Sequence, residues 1–263
     1  METFTYSKLD DKELQLDVFK SSRPNGTAIL LIHGGGLIVG ARQMVHAYAE
    51  PLTAQGFTVI VPSYRLRTEV LWPEPLNDIK SAIHWVVENA EQLGIQADKI
   101  VLEGFSAGAM LAFLAAKEQG VAAVVSFFSW AEMPRDPNNP FFLGEHLSAT
   151  QLDAADPINA IDAEFPPTML LHGMTDALIS SEQALSLFTK LKDAGCTVDL
   201  RLYHNHVHDF SSEPSMLEPI QADVALFLQR SVVDPEKYVQ ESLENNMFLQ
   251  PGPPPTMPEV VKA

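Results

Sequence analysis

Apolar and polar positions alternate along this chain in two rhythms. Ala28-Ile29-Leu30-Leu31-Ile32 is apolar throughout, and Phe57-Thr58-Val59-Ile60-Val61 is nearly so. Further short runs occupy Ile100 to Leu102, Ala122 to Phe127, Met169-Leu170-Leu171 and Val198 to Tyr203. Runs of this length without strict polar alternation mark strands covered on both faces, as in a parallel sheet. The segments 42–55, 75–93, 106–119, 181–194 and 215–230 read as helices between them or after them. In the second of these, Leu76, Ile79, Ile83, Val86 and Val87 recur at three- and four-residue spacing and form one apolar stripe. Leu14-Gln15-Leu16-Asp17-Val18 alternates instead, as a half-exposed edge strand does. With a partner strand on the other side of Leu9-Asp10-Asp11-Lys12, it completes an opening pair between Phe4 and Phe19. The pattern predicts an α/β fold with a mostly parallel central sheet of about eight strands, right-handed crossovers and helices on both faces. Sites in such sheets form beyond the carboxyl ends of the strands.

Two regions break the rhythm. Residues 131–160 carry Pro134, Pro137, Pro140 and Pro157 with Asn138-Asn139 among them. They read as a small cap or substrate-lining insertion with one short helix near Ser148–Leu152. Residues 231–263 read as an extension of the main domain at 1–230. They hold a short helix around Pro235–Leu243 and end in Pro251-Gly252-Pro253-Pro254-Pro255, which suits neither a helix nor a central strand. That tail is expected either to lack order or to pack along a surface, a neighbouring subunit included, so a homodimer stands among the expected partners.

Composition narrows the function classes. Hydrophobic residues make up 46% of the chain and mean hydropathy is +0.01, the balance of an ordinary globular domain. No apolar stretch approaches the ~20 residues that span a bilayer. The opening Met1-Glu2-Thr3-Phe4 shows no basic or apolar leader, so a cytoplasmic location is expected. The net charge of −17 repels phosphate backbones and anionic lipid, which argues against nucleic acid and membrane partners. The single cysteine, Cys196, cannot form an internal disulfide and reads as a small half-buried side chain.

Against this background three segments carry chemistry, each just after an apolar run. Gly104-Phe105-Ser106-Ala107-Gly108 places a serine between flanking glycines on a strand-to-helix turn, the arrangement of a nucleophile elbow. Only very small neighbours fit so tight a turn, and the strain lifts the hydroxyl above the sheet. His33-Gly34-Gly35-Gly36 follows the strand that ends at Ile32. Glycines let a backbone aim its amides inward, and the amides of Gly35 and Gly36, with that of Ala107, are candidates for an oxyanion hole. A phosphate-binding loop would call for a Lys-Ser/Thr pair next, whereas Leu37-Ile38-Val39 follows. His33 reads as a structural residue within that loop.

A serine of this kind needs a histidine base and a carboxylate that fixes the tautomer. Asp176 lies in Leu171-His172-Gly173-Met174-Thr175-Asp176, beyond a strand end. Asp153, Asp156 and Asp162 are rivals, but they sit in or beside the irregular insertion and suit turns or solvent. For the base, His208 on the loop before the final helix is favoured, with His206 and His204 as the alternatives. The order Ser106, Asp176, His208 is the one expected of an α/β-hydrolase. The alternating histidines could mimic a metal ligand set, but no partner carboxylate or cysteine set accompanies them, so no metal and no cofactor is expected.

At this point the chain resembles the α/β-hydrolase fold serine esterases of the hormone-sensitive-lipase-like group, in the small-cap branch of acetyl esterases and carboxylesterases. The resemblance rests on His33-Gly34-Gly35-Gly36, Pro62-Ser63-Tyr64-Arg65-Leu66, Gly104 to Gly108, Pro166-Pro167-Thr168, His172 to Asp176 and His208-Asp209-Phe210, spread over residues 13–230. Leu37 departs from it, since an aromatic or bulky residue usually follows the glycines. Phe105 departs too, since an acidic residue is common there in larger-cap relatives. The resemblance implies hydrolysis of a small-molecule carboxylic ester through an acyl-enzyme. A small cap implies an open site and short acyl groups. Leu37, Phe105, Trp130, Phe141 and Phe142 are candidate pocket walls. An amide, formamide or lactone hydrolase would use the same residues, and a non-catalytic ligand receptor on the same scaffold is a remote third reading.

Overall fold

The computed structural model describes residues 1–9, 12–135 and 147–246. Eight strands form one sheet: β1 (Glu2–Lys8), β2 (Glu13–Phe19), β3 (Ala28–Ile32), β4 (Thr58–Pro62), β5 (Ile100–Phe105), β6 (Val121–Phe127), β7 (Thr168–Gly173) and β8 (Val198–Tyr203). Their order across the sheet is β1-β2-β4-β3-β5-β6-β7-β8. The β1–β2 and β2–β4 pairings are antiparallel and the remaining five are parallel. The alternating β2 segment accordingly lies near one edge, and the uniformly apolar runs lie within.

Helices cover both faces: α1 (Ala49–Ala54), α2 (Glu74–Glu88), α3 (Ala90–Leu93), α4 (Ala107–Leu114), α5 (Ala149–Ala154), α6 (Glu182–Asp193), α7 (Pro214–Leu228) and α8 (Pro235–Asn245). On one face Leu30, Ile32 and Leu102 pack with Ile79, Ile83 and Val86 of α2 and with Met110 and Phe113 of α4. On the other, Ile29, Val59, Val101 and Val125 meet Leu52 of α1 and Val224 and Phe227 of α7. Successive side chains of a strand point to opposite faces, so a strand buried on both is apolar at most positions. All five residues of β3 and of β4 are buried.

Helix boundaries differ from the sequence expectation where local chemistry intervenes. The 42–55 segment begins as a 3-10 turn over Arg42–Tyr48 and becomes α-helical only at Ala49. Pro51 has no amide hydrogen, so an α-helix containing it must begin within a turn of it. The 75–93 segment divides at Asn89, whose side-chain amide donates to the Trp85 carbonyl at 2.7 Å. The 106–119 segment ends at Leu114, and tight turns lead through Gly120, at φ +91°, into β6. The 131–160 region holds α5 and a 3-10 turn at Pro157–Ala160 among its described residues, and a capping box from Ser148 and Gln151 starts α5.

Two buried polar groups anchor elements to the sheet. Asp17 of β2 accepts hydrogen bonds from Arg42 Nε at 2.6 Å and Thr3 Oγ1 at 2.7 Å, with His46 Nε2 at 3.1 Å. Burial alone would raise its carboxyl pKa, but these partners outweigh it and hold the group below its ordinary value. The 3-10 segment is thereby tied to the antiparallel edge. Glu103 of β5 is fully buried and accepts one hydrogen bond, from Gln221 Nε2 of α7 at 2.9 Å. Burial pushes its carboxyl up to about 8.

An acid whose pKa is higher folded than unfolded favours the folded state most at low pH. Stability is therefore lost as pH rises from about 4.5, the ordinary value, towards about 8. Glu103→Gln keeps the shape and cannot ionise. Its melting temperature should fall less than that of the wild type between pH 5 and pH 8, as thermal melts at the two values would register. Parallel pH dependence in the two proteins would contradict the assignment.

Candidate active site

The parallel register brings the ends of β3, β5, β7 and β8 to one rim of the sheet: Ile32 faces Gly104, Phe105 faces Phe127, Phe127 faces Leu171 and Gly173 faces Tyr203. All three sequence motifs project from this rim. Ser106 lies between β5 and α4 at φ +54° and ψ −116°, a conformation that a side chain bearing a Cβ rarely adopts. Its amide donates to Phe127 O at 2.9 Å. The need for glycine nearby is steric. A Cβ on Gly108 would lie 2.1 Å from Ile32 O, and one on Gly104 would lie 2.3 Å from Gly108 O.

His208 Nε2 lies 3.1 Å from Ser106 Oγ, and His208 Nδ1 lies 2.7 Å from Asp176 Oδ2. With Nδ1–H donated to the carboxylate, Nε2 presents its lone pair to the serine hydroxyl. The other carboxylate oxygen, Oδ1, accepts the Leu178 and Ile179 amides, each at 2.9 Å. His172, buried on β7, donates from Nε2 to Ile179 O at 2.9 Å and lies 3.4 Å from Asp176 Oδ2. Burial would raise the Asp176 pKa, but the contacts from His172, His208 and the Ile179 amide hold it far below the usual carboxylate range. Asn205 at φ +60° and Asp209 at φ +61° turn the loop after β8, and the Phe128 ring packs 4.6 Å from the imidazole. Such an array can move a proton from hydroxyl to imidazole and stabilise the cation that results.

The glycine loop stands opposite. Gly35, Gly36 and Leu37 take φ values of +104°, +64° and +61° in succession. Gly35 O accepts the amides of Ile38 and Val39 and closes the turn. His33 Nδ1–H donates to Gly34 O at 2.8 Å, and its ring stacks on Tyr64 with centroids 4.4 Å apart. Tyr64 Oη donates to His33 O at 2.9 Å. His33 thus has a structural place, and its buried ring is held towards the neutral form. Among the described residues the Gly35 and Gly36 amides have no protein acceptor. The Ala107 amide, first in α4, has no intrahelical one.

Comparison with known proteins is consistent with this geometry. The prolyl oligopeptidase family matches residues 72–233, more than half of the chain. The chain belongs to that family. The BD-FAE family matches residues 16–125. Esterase LipQ of Mycobacterium tuberculosis is 28% identical over 76% of this chain and 55% of its own length. Ethyl acetate hydrolase of Pseudomonas putida is 28% identical over 77% of this chain and 71% of its own. The chain thus spans about half the length of LipQ, and of LipC from the same organism, of which it covers 53%. Among solved structures, an esterase of Thermogutta terrifontis superposes with a TM-score of 0.77 at 23% identity, covering 89% of this chain and 94% of that one. The same enzyme phosphoramylated by tabun gives 0.77 at 25%, covering 86% and 93%. The fold is that of an α/β-hydrolase.

In this member of the prolyl oligopeptidase family, a cavity of about 430 Å³ opens over Ser106 and His208. Gly34 to Gly36, Ile38, Val39, Met44, Val45, Tyr48, Phe105, Phe128, Leu178, Asp209 and Ser212 complete its lining. Phe105 is where the sequence puts it. Leu37 is not a wall: its left-handed backbone turns the side chain into the core, and Ile38 and Val39 take the position. Trp130 is not one either, since it packs half-buried against the core on the α2 and α4 face. Phe141 and Phe142 lie outside the described residues.

Phe128, directly after β6, was open to the strand-end rule, whereas Met44, Val45 and Tyr48 carry no local signal. The rivals fall elsewhere. His206 faces Glu213 Oε1 at 3.4 Å, His204 is exposed, Asp156 binds the Met133 amide at 2.7 Å and Arg135, and Asp162 pairs with Lys117. The three histidines do not share a strand face, because β8 ends at Tyr203. Among the described residues no cluster of three or more His, Cys, Asp or Glu side chains is placed to hold a metal ion.

Gly108→Ala should destabilise by about 3 kcal/mol, seen as a melting temperature about 6–12 °C lower. A variant that melts with the wild type would show that α4 does not approach β3 so closely.

Proposed function

We propose that this protein is a serine hydrolase of carboxylic esters in which Ser106 is the nucleophile, His208 the general base and acid, and Asp176 the orienting carboxylate. The observation that carries this reading is the continuous path from Ser106 Oγ through His208, at 3.1 Å and 2.7 Å, to a buried, strongly stabilised carboxylate. The proton of Ser106 passes to His208 Nε2 as Oγ attacks the ester carbonyl. The amides of Gly35, Gly36 and Ala107 receive the negative charge that develops on the carbonyl oxygen. His208 then delivers the proton to the departing alkoxide. A water molecule, deprotonated by the same imidazole, cleaves the acyl-enzyme and restores Ser106. The names of the relatives, esterases and an ethyl acetate hydrolase, agree with this class of substrate.

Acyl groups are short in this proposal. A cavity of about 430 Å³ sits near the small end of ligand pockets and must hold both halves of the ester. Its described walls come from the rim of the sheet, the glycine loop and the 42–48 segment. The family match to prolyl oligopeptidases favours amide hydrolysis as a second reading.

Ser106→Ala should lower kcat on p-nitrophenyl acetate about 10⁴-fold or more without changing the melting profile, and Asp176→Asn should lower it about 10³–10⁴-fold. Retained turnover in Ser106→Ala would reject the mechanism. Across p-nitrophenyl esters, kcat/KM should be higher for acetate and butyrate than for decanoate. An anilide cleaved faster than its matching ester would favour the second reading.

A further inference from the structure

Among the described residues Asp209 is the one carboxylate on the cavity wall, and no described lysine or arginine shares that wall with it. Its Oδ2 accepts only a long bond from Ser212 Oγ, at 3.2 Å, and among the described residues it enters no ion pair. The backbone explains part of its identity. At φ +61° a short polar residue is favoured over most others, but asparagine or glycine would serve equally well. The charge is what the fold leaves unexplained.

The surroundings of this charge share one chemistry. Tyr48, Phe105 and Phe128 line the same cavity, and aromatic faces beside a carboxylate attract alkylated ammonium groups. Other walls are aliphatic: Val39, Met44 and Leu178 are 62%, 60% and 55% exposed at the mouth, suited to methyl groups and not to a hydrated anion. The net charge of −17 adds a field that gathers cations. The position of Asp209 also selects one half of the substrate. His208 must reach the departing oxygen, so the alcohol lies on its side of the cavity, where Asp209 follows His208 directly in the chain and Phe128 packs 4.6 Å from the imidazole.

We infer that the site selects esters whose alcohol carries a positively charged, alkylated ammonium group, with Asp209 as the residue that sets this preference. The inference rests on the ester-hydrolase reading and names the substrate within it. Acetylcholine and 3,3-dimethylbutyl acetate form the matched pair, since a quaternary carbon replaces the quaternary nitrogen without changing shape. At low ionic strength the wild type should favour the cation in kcat/KM by about tenfold, the scale of one partly screened charge pair. The ratio should fall towards unity as salt rises. In Asp209→Asn, which keeps the left-handed turn and a bond to Ser212, it should fall several-fold at low salt, to the small preference that the overall charge leaves, and reach unity as salt rises. Because it is a ratio, a general loss of activity in the variant cancels.

A second measurement needs no variant: choline should inhibit p-nitrophenyl acetate hydrolysis more strongly than 3,3-dimethylbutanol does. A wild-type ratio of one or less, or an undiminished ratio in Asp209→Asn, overturns the inference. In either case turnover of p-nitrophenyl acetate leaves the ester-hydrolase reading standing. Failure to hydrolyse any ester of the set sinks the broader reading instead.

Discussion

The architecture depends on a contact between two backbones. The start of α4 lies against the end of β3 so closely that a single methyl group at Gly108 would fall within 2.1 Å of a carbonyl oxygen. That contact brings the Ser106 turn beside the glycine loop, because β3 and β5 are neighbours in register. It also accounts for α4 itself. A helix wedged between sheet and α2 has almost no exposed face, which is why Ala107 to Phe113 are all buried. The strained backbone of Ser106 persists because strand, helix and the Phe127 carbonyl over-determine it.

Electrostatics at the rim and within the sheet differ in a way that follows from partner number. Asp176 and Glu103 are both carboxyls removed from water. The first has two amides and two histidines around it and stays ionised, and the second has one amide donor and is driven towards its neutral form. Desolvation acts on both, and the count of donors decides the outcome. The pair illustrates how one strand layer can hold a permanent negative charge at its edge and an uncharged acid in its interior.

Much of this was legible in the sequence, for identifiable reasons. Uniform apolar runs are a strong signal because burial on two faces disfavours polar residues, and every strand was anticipated to within a few residues. Ser106, Asp176 and His208 stood out because each follows a strand end, and the structure brings those three side chains together. The pocket walls were less legible. Met44 and Tyr48 reach the cavity through a 3-10 turn that the apolar pattern does not distinguish from an α-helix. Leu37 was misjudged because its direction depends on a left-handed backbone, which a leucine does not advertise as glycine, asparagine or aspartate does. Asp209 was read only as part of a motif, since charge on a loop has no periodicity to set it apart.

The tether of the 42–48 segment to Asp17 has an implication for how such a protein can diversify. Three of the eight described aliphatic and aromatic residues of the cavity lining, Met44, Val45 and Tyr48, sit on a segment tied to the antiparallel hairpin at the sheet's margin, while Ser106, Asp176 and His208 follow strands of its parallel centre. The two sets meet at Tyr48, which packs 4.6 Å from Phe105 and lies 3.0 Å from Ser211 Oγ. Changes in the hairpin or its arginine anchor can therefore reshape one side of the cavity from elements that carry none of the three side chains, and Tyr48 is the residue through which such a change would be felt at Ser106 and His208.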